Sequence, residues 1–393
     1  MAHSDMASKI YDVLIVGAGP GGSYTAQQLA GRGYKVAVFE EHERIGEPVQ
    51  CTGIIGVECF ERFDLPTDCV VREANSAKLF SPSGKTIRLY RNSPQAYIVD
   101  RAAFDRHLYN EALSCGAEYF TSCRVNDIAI LDDRVRITTQ YKDAYEARAA
   151  VIASGFYSRL PLKLGLGRVK DFIVGAQAWV CTTADNELEE MEIYFDQKLA
   201  PGFFAWFVPT GDRSALAGLF ARRRPREHLR AFIDDLYERG RIASSEADIV
   251  PGGIPLRPPK RTFGERVIVL GDAAGQVKPT TGGGVYYGML CAEMAADVLS
   301  QAFERGDVSK QSLAGYESIW KESIGGELRR GYIARRIYEK LGNRAIDRLF
   351  DIAIKRGLQE KLARSNDISF DWHSRAVIEA AKMCITPVNR PDR

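Results

Sequence analysis

Residues 11–40 read YDVLIVGAGPGGSYTAQQLAGRGYKVAVFE, and this stretch decides the fold. The apolar, β-branched run at 11–16 predicts a strand that is buried on both faces. A glycine-rich turn at 17–22 follows at once, and residues 23–32 have helical spacing. Residues 34–39 then predict a second strand. The stretch as a whole therefore predicts a complete β-α-β unit.

The glycines of this turn have the spacing Gly17-x-Gly19-x-x-Gly22. The first glycine permits a tight turn, the second lets a pyrophosphate approach the backbone, and the third lets the helix pack closely on the strand. Glu40 follows 23 residues after Gly17, at the end of the second strand. A carboxylate there can accept hydrogen bonds from ribose hydroxyls and disfavours a 2′-phosphate. The position of the turn favours a bound dinucleotide over a glycine turn without a ligand, and leaves NAD and FAD both open.

Length and composition exclude several other classes of protein. The 393 residues suffice for roughly two or three domains. Lys and Arg number 53 against 51 Asp and Glu, and this balance gives no field that would indicate nucleic-acid binding. The eight cysteines include no CxxC pair, so we expect no metal or iron–sulfur site. With no secretory signal and no apolar run of about 20 residues, we expect a cytoplasmic protein, either free or peripheral on the inner face of a membrane.

Later segments return to the pattern of the first domain. The pattern predicts a helix at 100–115, two short strands between 124 and 140, a strand at 149–153 that ends in Ser154-Gly155, and a strand at 266–270 that precedes Gly271-Asp272 and a small-residue helix through Leu299. The nucleotide-binding domain is therefore predicted to be discontinuous in sequence.

The intervening and final segments have different patterns. Between 174 and 221, alternating aromatic and β-branched runs predict an antiparallel sheet in a second domain. Residues 225–241 predict one helix on that sheet. From 311 onward the chain is predicted to be helical, and residues 321–393 hold 16 Lys and Arg against 10 Asp and Glu.

A second turn, Leu270-Gly271-Asp272-Ala273-Ala274-Gly275, again places a glycine and an acid at the end of a strand. An Asp in this position can hold a polyol chain, and a following helix N-terminus can stabilise negative charge on a reduced ring. Together with Arg101 on an intervening helix, the two turns resemble those of FAD-dependent reductases and monooxygenases of the p-hydroxybenzoate hydroxylase type. The resemblance implies FAD as the cofactor.

Within that class the sequence is most similar to the geranylgeranyl reductase family, in particular the archaeal type that saturates the prenyl chains of membrane lipids. The matching stretches are GEPVQCTG at 46–53, PGFFAWFVP at 201–209 and PTTGGGV at 279–285. The family's second stretch usually reads YxWxFP; here Phe204 replaces Tyr and Val208 replaces Phe, while Trp206 and Pro209 remain. The alternative, that this strand only packs the second domain, stays open.

The resemblance implies an α/β fold: a discontinuous Rossmann-type FAD-binding domain, an inserted antiparallel-sheet substrate domain and a C-terminal helical segment. The expected boundaries are 1–70, 96–170 and 256–310 for the FAD-binding domain, 71–95 and 171–255 for the substrate domain, and 311–393 for the helical segment.

The resemblance also implies a set of site residues. Those expected to contact FAD or to shape the backbone around it are Gly17, Gly19, Pro20, Gly21, Gly22, Glu40, Cys51, Thr52, Gly53, Arg101, Val125, Gly155, Gly271, Asp272, Gly282, Gly283, Gly284 and Val285. Those expected to line the substrate cavity are Phe204, Trp206, Pro209 and Tyr286. Cys51 is in addition a candidate catalytic thiol, with simple packing as the alternative.

The implied activity is the saturation of isolated C=C bonds of geranylgeranyl chains by hydride transfer from reduced flavin. The expected substrate is a prenylated lipid or isoprenoid, and electrons are expected from NAD(P)H or a reduced carrier protein. Three alternatives remain open: geranylgeranyl reduction on a chlorophyll-type substrate, a flavin monooxygenase or halogenase of the same fold, and a flavin-bound carrier without enzymatic activity.

The basic C-terminal segment contains Tyr332, Ile333, Ile337, Tyr338 and Leu341 among its charges. Two interpretations fit these residues: a helix that contacts an anionic bilayer, or a capping helix with a solvated charged face.

Overall fold

The structure, a computed structural model, describes residues 10–183, 190–357, 359–360 and 369–372. Its strands are β1 (Ile10–Val16), β2 (Val36–Phe39), β3 (Ile54–Gly56), β4 (Val70–Ala74), β5 (Ser76–Phe80), β6 (Thr86–Tyr90), β7 (Ala96–Val99), β8 (Glu118–Phe120), β9 (Val125–Ile130), β10 (Val135–Thr139), β11 (Ala144–Ile152), β12 (Phe172–Cys181), β13 (Met191–Tyr194), β14 (Ala205–Gly211), β15 (Ser214–Ala221), β16 (Val250–Pro255), β17 (Phe263–Gly264) and β18 (Val267–Val269). Its α-helices are α1 (Pro20–Gly31), α2 (Val57–Phe63), α3 (Arg101–Ser114), α4 (Leu160–Lys163), α5 (Pro225–Glu238), α6 (Val285–Glu304), α7 (Lys310–Trp320), α8 (Gly326–Tyr338) and α9 (Asn343–Lys355).

The first sheet has the parallel core of a Rossmann-type fold. Strands β8, β2, β1, β11 and β18 are parallel neighbours, and the short β17 joins antiparallel at one edge. The predicted β-α-β unit is confirmed. Helix α1 begins at Pro20 rather than at the predicted residue 23, because proline has the φ angle of a first helical residue and no N–H to leave unpaired there.

One strand of this sheet and one helix beside it differ from the prediction. Strand β11 begins five residues before the predicted residue 149, because its first half pairs with β10 and only its second half pairs with β18. The small-residue helix does not follow the Gly271-Asp272 turn directly. A single turn of 3₁₀-helix spans Gly271–Ala274, Gly275 adopts a left-handed conformation, and α6 begins only at Val285.

The second sheet has the order β16-β12-β15-β14-β13-β5-β6. It is antiparallel as predicted, except that β13 and β5 pair in parallel. Helix α5 lies on one face, where Leu229, Phe232, Ile233 and Leu236 join a core with Ala205 and Phe207 of β14. A third, small sheet has the order β3-β7-β4.

Backbone contacts divide the chain into two compact units. The first comprises the described residues up to Val49, Arg101–Phe172 and Ile254–Arg329; the second comprises Gln50–Asp100, Ile173–Gly253 and the described residues from Arg330. The second unit therefore includes 50–70 and 96–100, which the sequence analysis had placed in the FAD-binding domain. The predicted C-terminal helices are present as α7, α8 and α9, and most of 361–393 lies outside the described residues. Among the described helices, none combines the length and apolarity needed to cross a bilayer.

Candidate functional site

Of the three glycines of the Gly17-x-Gly19-x-x-Gly22 motif, the backbone requires two and does not require the third. Gly17 has φ of +102°, and a Cβ there would lie 2.5 Å from the carbonyl oxygen of Ala153. A Cβ on Gly22 would overlap the carbonyl oxygen of Gly17. A Cβ on Gly19, by contrast, would meet nothing within 4 Å. The space beside Gly19 is therefore open to a ligand, at the point where the N-terminus of α1 presents unpaired N–H groups.

Glu40 is fixed at the same turn. Its Oε2 accepts a hydrogen bond from the backbone N–H of Ala18 at 2.9 Å, and its Oε1 accepts one from the N–H of His42 at 3.0 Å. Its Oε1 also lies 2.7 Å from Nδ1 of His42. A carboxylate has about four acceptor positions, so capacity remains for a hydroxyl of a ligand. The structure thus places Glu40 where the sequence analysis expected it.

A second cluster of candidate cofactor-binding residues in the first unit contains Arg101, Asp272 and Gly284. A Cβ on Gly284 would lie 3.0 Å from Oδ1 of Asp272, so the glycine keeps its own position free of a side chain that would press on this carboxylate. Burial raises the pKa of Asp272 to about 6, and the positive charge of Arg101 offsets part of the rise. Arg101 also donates to both carboxylate oxygens of Asp105 at 2.7 and 3.0 Å, in an ion pair that is largely buried.

The triple glycine precedes α6 in a closed loop. The N–H of Lys278 donates to the carbonyl of Gly283, and the N–H of Gly282 donates to the carbonyl of Lys278. The buried Lys278 side chain crosses Gly283, because its Cε would be 2.6 Å from a Cβ there. Among the described residues no side chain caps α6, so the N-terminus of this helix, at Gly284 and Val285, is a site that favours negative charge. The sequence analysis did not single out Lys278.

Two buried residues that sequence reasoning missed hold the Gly271-Asp272 turn. The Oε1 of Gln276 accepts from the N–H of Gly271 at 2.8 Å, and its Nε2 donates to the hydroxyl of Tyr316 at 2.9 Å. That hydroxyl donates to the carbonyl of Val269 at 3.1 Å. The sequence signal that could have indicated Gln276 is its position as a single polar residue in the run AAGQV at 273–277.

The second unit carries a row of aromatic side chains on one face of its sheet. We define the aromatic wall as Phe195, Phe204, Trp206 and Phe220. The ring centroids of Trp206 and Phe220 are 4.7 Å apart, and those of Phe204 and Phe220 are 5.5 Å apart. The Trp206 indole lies across Gly218 of β15, where any Cβ would overlap it. Its buried N–H has no hydrogen-bond partner among the residues that the structure describes.

Pro209 does not join this wall. Successive side chains of a strand point to opposite faces, so Pro209 shares its face with Phe207, which packs under α5. The structure therefore brings Phe204 and Trp206 together but places Pro209 on the other side of the sheet.

The Cys51–Gly53 turn also belongs to the second unit. The half-buried Cys51 accepts a weak hydrogen bond at Sγ from the N–H of Gly53 at 3.4 Å, and Gly53 has φ of +78°. The hydroxyl of Thr52 donates to Oε1 of the buried Gln177 at 3.1 Å. Gln177 and Trp206 both pair in register with Gly218, so this turn is tied to the strand beside the wall. Sequence reasoning missed Gln177.

The predicted site residues therefore fall into two sets. The first unit holds Gly17, Gly19, Pro20, Gly21, Gly22, Glu40, Arg101, Val125, Gly155, Gly271, Asp272, Gly282, Gly283, Gly284, Val285 and Tyr286; the second holds Cys51, Thr52, Gly53, Phe204, Trp206 and Pro209. Val125 begins β9 and is buried, and Gly155 follows β11 with φ of +69°. Within the described residues, no group of three His, Cys, Asp or Glu side chains is placed to hold a metal ion.

The parallel sheet, the glycine turn with its carboxylate, and the second turn around Asp272 define a Rossmann-type flavoprotein fold. Comparison with known proteins narrows this class. The chain belongs to the family described as lycopene cyclase protein, whose profile matches residues 12–359, and to the family of the digeranylgeranylglycerophospholipid reductases. The reductase of that name from Methanocaldococcus jannaschii is 32% identical over 358 residues, which cover 86% of this chain and 90% of that protein.

Two solved structures show the same fold. A geranylgeranyl bacteriochlorophyll reductase-like protein from Thermoplasma acidophilum superposes with a TM-score of 0.82 at 24% identity, over 95% of this chain and 96% of that one. A flavin-dependent halogenase superposes with a TM-score of 0.69 at 18% identity, over 96% of this chain and 77% of the halogenase. At these identities the superpositions establish the fold alone. The family places the chain among FAD-dependent oxidoreductases.

Proposed function

We propose that the protein is an FAD-dependent reductase that saturates isolated carbon–carbon double bonds of geranylgeranyl chains, most of all on membrane lipids. The observation that carries this proposal is the 32% identity over 358 residues with a protein named digeranylgeranylglycerophospholipid reductase. The aromatic wall of the second unit supports it, because Phe195 and Phe204 are only partly buried and give this apolar cluster a surface that a hydrocarbon chain can contact.

The residues of the first unit fit FAD. The open space at Gly19 and the N-terminus of α1 suit a pyrophosphate, and Glu40 retains acceptor capacity for ribose hydroxyls. The Asp272 carboxylate, against which residue 284 places no side chain, suits a ribityl hydroxyl. We propose that Arg101, Val125 and the loop at 282–285 complete these contacts. Contact of Cys51, Thr52 and Gly53 with FAD is a further part of the proposal, supported by the resemblance.

When bound and reduced, FAD supplies a hydride to one alkene carbon, and the other carbon needs a proton. The first N–H groups of α6 would stabilise negative charge near the ring. Phe204, Trp206 and Phe220 would exclude water from the alkene. We propose the thiol of Cys51 as the proton donor.

We propose an external electron donor, either NAD(P)H or a reduced carrier protein. The substrate would be a prenylated lipid or isoprenoid, which the protein would meet as a cytoplasmic enzyme in peripheral contact with a membrane.

The direct test is mass spectrometry of polyprenyl lipids incubated with purified holoprotein and a chemical reductant. We expect successive gains of two daltons, one for each double bond reduced. Cys51→Ser should lower the rate strongly while FAD stays bound, and the exposed Cys181→Ser serves as its control. An intact lipid with unchanged mass, or an oxygen-dependent hydroxylated or halogenated product, would contradict the proposal. A folded protein that takes up no FAD would also contradict it.

A further inference from the structure

Helix α8 has an outer face on which apolar and basic residues alternate. Ile333 and Ile337, one turn apart, are 53% and 60% exposed. Arg330, Arg336 and Lys340 are exposed, and each is three residues from one of these isoleucines. Arg330 and Arg336 lie on α8, and Lys340 follows its end. Two large aliphatic side chains surrounded by cations form the pattern of a helix that lies in a membrane interface.

A second basic segment of the same unit lies near the C-terminal end of α8. The turn between β15 and α5 contains three consecutive exposed arginines, Arg222, Arg223 and Arg224. Arg222 forms an ion pair with Glu339, which is the only acidic residue between 329 and 340. This contact places Arg222 beside the C-terminal end of α8, where Glu339 also pairs with Arg336 at 3.3 Å, and Arg223 and Arg224 follow Arg222 in the chain. We define the basic patch as Arg222, Arg223, Arg224, Arg330, Ile333, Arg336, Ile337 and Lys340.

The inner face of α8 contacts the aromatic wall. The hydroxyl of Tyr338 donates to the carbonyl of Phe203 at 2.9 Å, and its ring centroid is 5.9 Å from that of Phe195. Phe195 in turn lies 6.0 Å from Phe204. Tyr338 and Leu341 pack inward, as the interpretation of this segment as a capping helix predicts. Ile333 and Ile337 are exposed on the opposite side, where a bilayer could contact them.

We propose that the basic patch docks the protein on an anionic bilayer surface. The cations would contact lipid phosphates, and the two isoleucines would insert among the acyl chains just below them. One helix would then separate the bilayer from the aromatic wall. The choice of a bilayer over an acidic protein rests on the proposed function, since its substrate is a lipid, and on the exposed isoleucines, which a purely electrostatic partner does not need.

The test uses the full-length holoprotein and flotation with vesicles of phosphatidylcholine, with or without phosphatidylglycerol. We expect binding only to the anionic vesicles, and weaker binding as salt is raised. Arg223→Gln/Arg336→Gln/Lys340→Gln should weaken binding by about a hundredfold, because each cation near an anionic surface contributes to the affinity. Ile333→Ser/Ile337→Ser should weaken it by about tenfold.

Matched variants control for exposure and charge. Lys35→Gln/Lys142→Gln/Arg305→Gln removes three exposed cations of the first unit, and Ile319→Ser/Ile354→Ser removes two other exposed isoleucines. Equal loss in the patch variants and their controls would overturn the proposal. So would equal binding to both vesicle types, or binding of the patch to an acidic carrier protein but not to vesicles.

Activity separates this inference from the proposed function. When the prenyl substrate is dispersed in detergent, the variants of the basic patch should reduce its double bonds at the wild-type rate. Vesicle binding without any reduction of prenyl chains would leave the docking surface in place and contradict the proposed function alone.

Discussion

The glycine turn of the first unit and the aromatic wall of the second unit are built in different ways. In the turn, Gly17 and Gly22 are required because the backbone comes too close to itself for any side chain. In the wall, Gly218 is required because the ring of Trp206 occupies its side-chain position. The turn is therefore determined by local backbone sterics, and the wall by packing between strands that are distant in sequence. Substitutions in the turn should affect the fold or FAD binding, and substitutions in the wall should affect packing and substrate binding but not FAD binding.

The largest effect is expected at the turn, where neighbouring glycines should respond differently. Gly22→Ala should destabilise the fold by about 3 kcal/mol or more, since the methyl group meets a backbone carbonyl that cannot move aside. Gly19→Ala should change stability by less than about 1 kcal/mol, because its position is open and its φ of −68° suits alanine. It should still raise the Kd for FAD by about a hundredfold, by blocking the pyrophosphate.

Thermal unfolding measures the stability of each variant, and FAD fluorescence titration measures its Kd for FAD. If Gly19→Ala bound FAD as the wild type does, the open space beside it would not be the pyrophosphate site. The turn and the wall would then differ in how they are built, but the turn would have no shown role in FAD binding.

The next effect concerns pH and Asp272. The folded protein has the higher pKa, about 6 against an ordinary value of 3.8, so it binds more protons than the unfolded chain between these values. The contribution of Asp272 to the stability of the apoprotein therefore falls as pH rises through this window, by up to about 3 kcal/mol. Asp272 retains some accessible surface, and water there offsets part of the cost.

Asp272→Asn should thus stabilise the apoprotein at pH 7 while leaving it close to wild type at pH 4, and it should weaken FAD binding. Urea unfolding across this pH range measures the difference, with the exposed Asp68→Asn as control. A variant that is less stable than wild type at pH 7 would show that the ionised carboxylate is held by contacts that outweigh burial.

The same contrast explains what the sequence could predict. Gly17, Gly19, Gly22 and Glu40 lie within 24 residues of each other, and strand periodicity and glycine spacing determine their structure locally. No start residue for α6 could be predicted, because the 3₁₀ turn and the left-handed Gly275 leave only a weak pattern in a run of small residues.

Long-range packing accounts for the residues that were missed. Gln177 reaches Thr52, and Gln276 reaches Tyr316, across 125 and 40 residues, and no local spacing indicates such pairs. The antiparallel strand predicted in this region is confirmed as β14 (Ala205–Gly211). Its register, which puts Pro209 on the opposite face from Trp206, follows from pairing with β15.

A substitution in the wall tests whether its effect stays in the second unit. Gly218→Ala should displace the Trp206 ring and destabilise the protein by about 1–3 kcal/mol, as overpacking does. It should raise KM for a prenyl substrate and leave the Kd for FAD unchanged. Gly211→Ala is the matched control, because its Cβ would meet only Ser214 at an ordinary 3.7 Å. A large change in FAD affinity would show that the two regions do not act independently.

The smallest effect should come from the pair that supports the Asp272 turn. Tyr316→Phe removes a hydroxyl that joins Gln276 to the carbonyl of Val269, so two buried polar groups lose a partner. The expected cost is about 1–2 kcal/mol of stability, with a several-fold weaker Kd for FAD, because Gly271 is then held less firmly. The half-exposed Tyr237→Phe is its control.

Gln276→Leu should cost more than Tyr316→Phe, because it also leaves the N–H of Gly271 without its acceptor. The double variant should cost less than the sum of the two single variants, since the second substitution removes a group that the first has already left unpaired. FAD titration and urea unfolding of all four proteins complete the cycle. If the effects of the two substitutions on both the Kd for FAD and the free energy of unfolding were strictly additive, Tyr316 would support the fold without acting on the Gly271-Asp272 turn. The geometry of that turn would then depend on its local backbone alone.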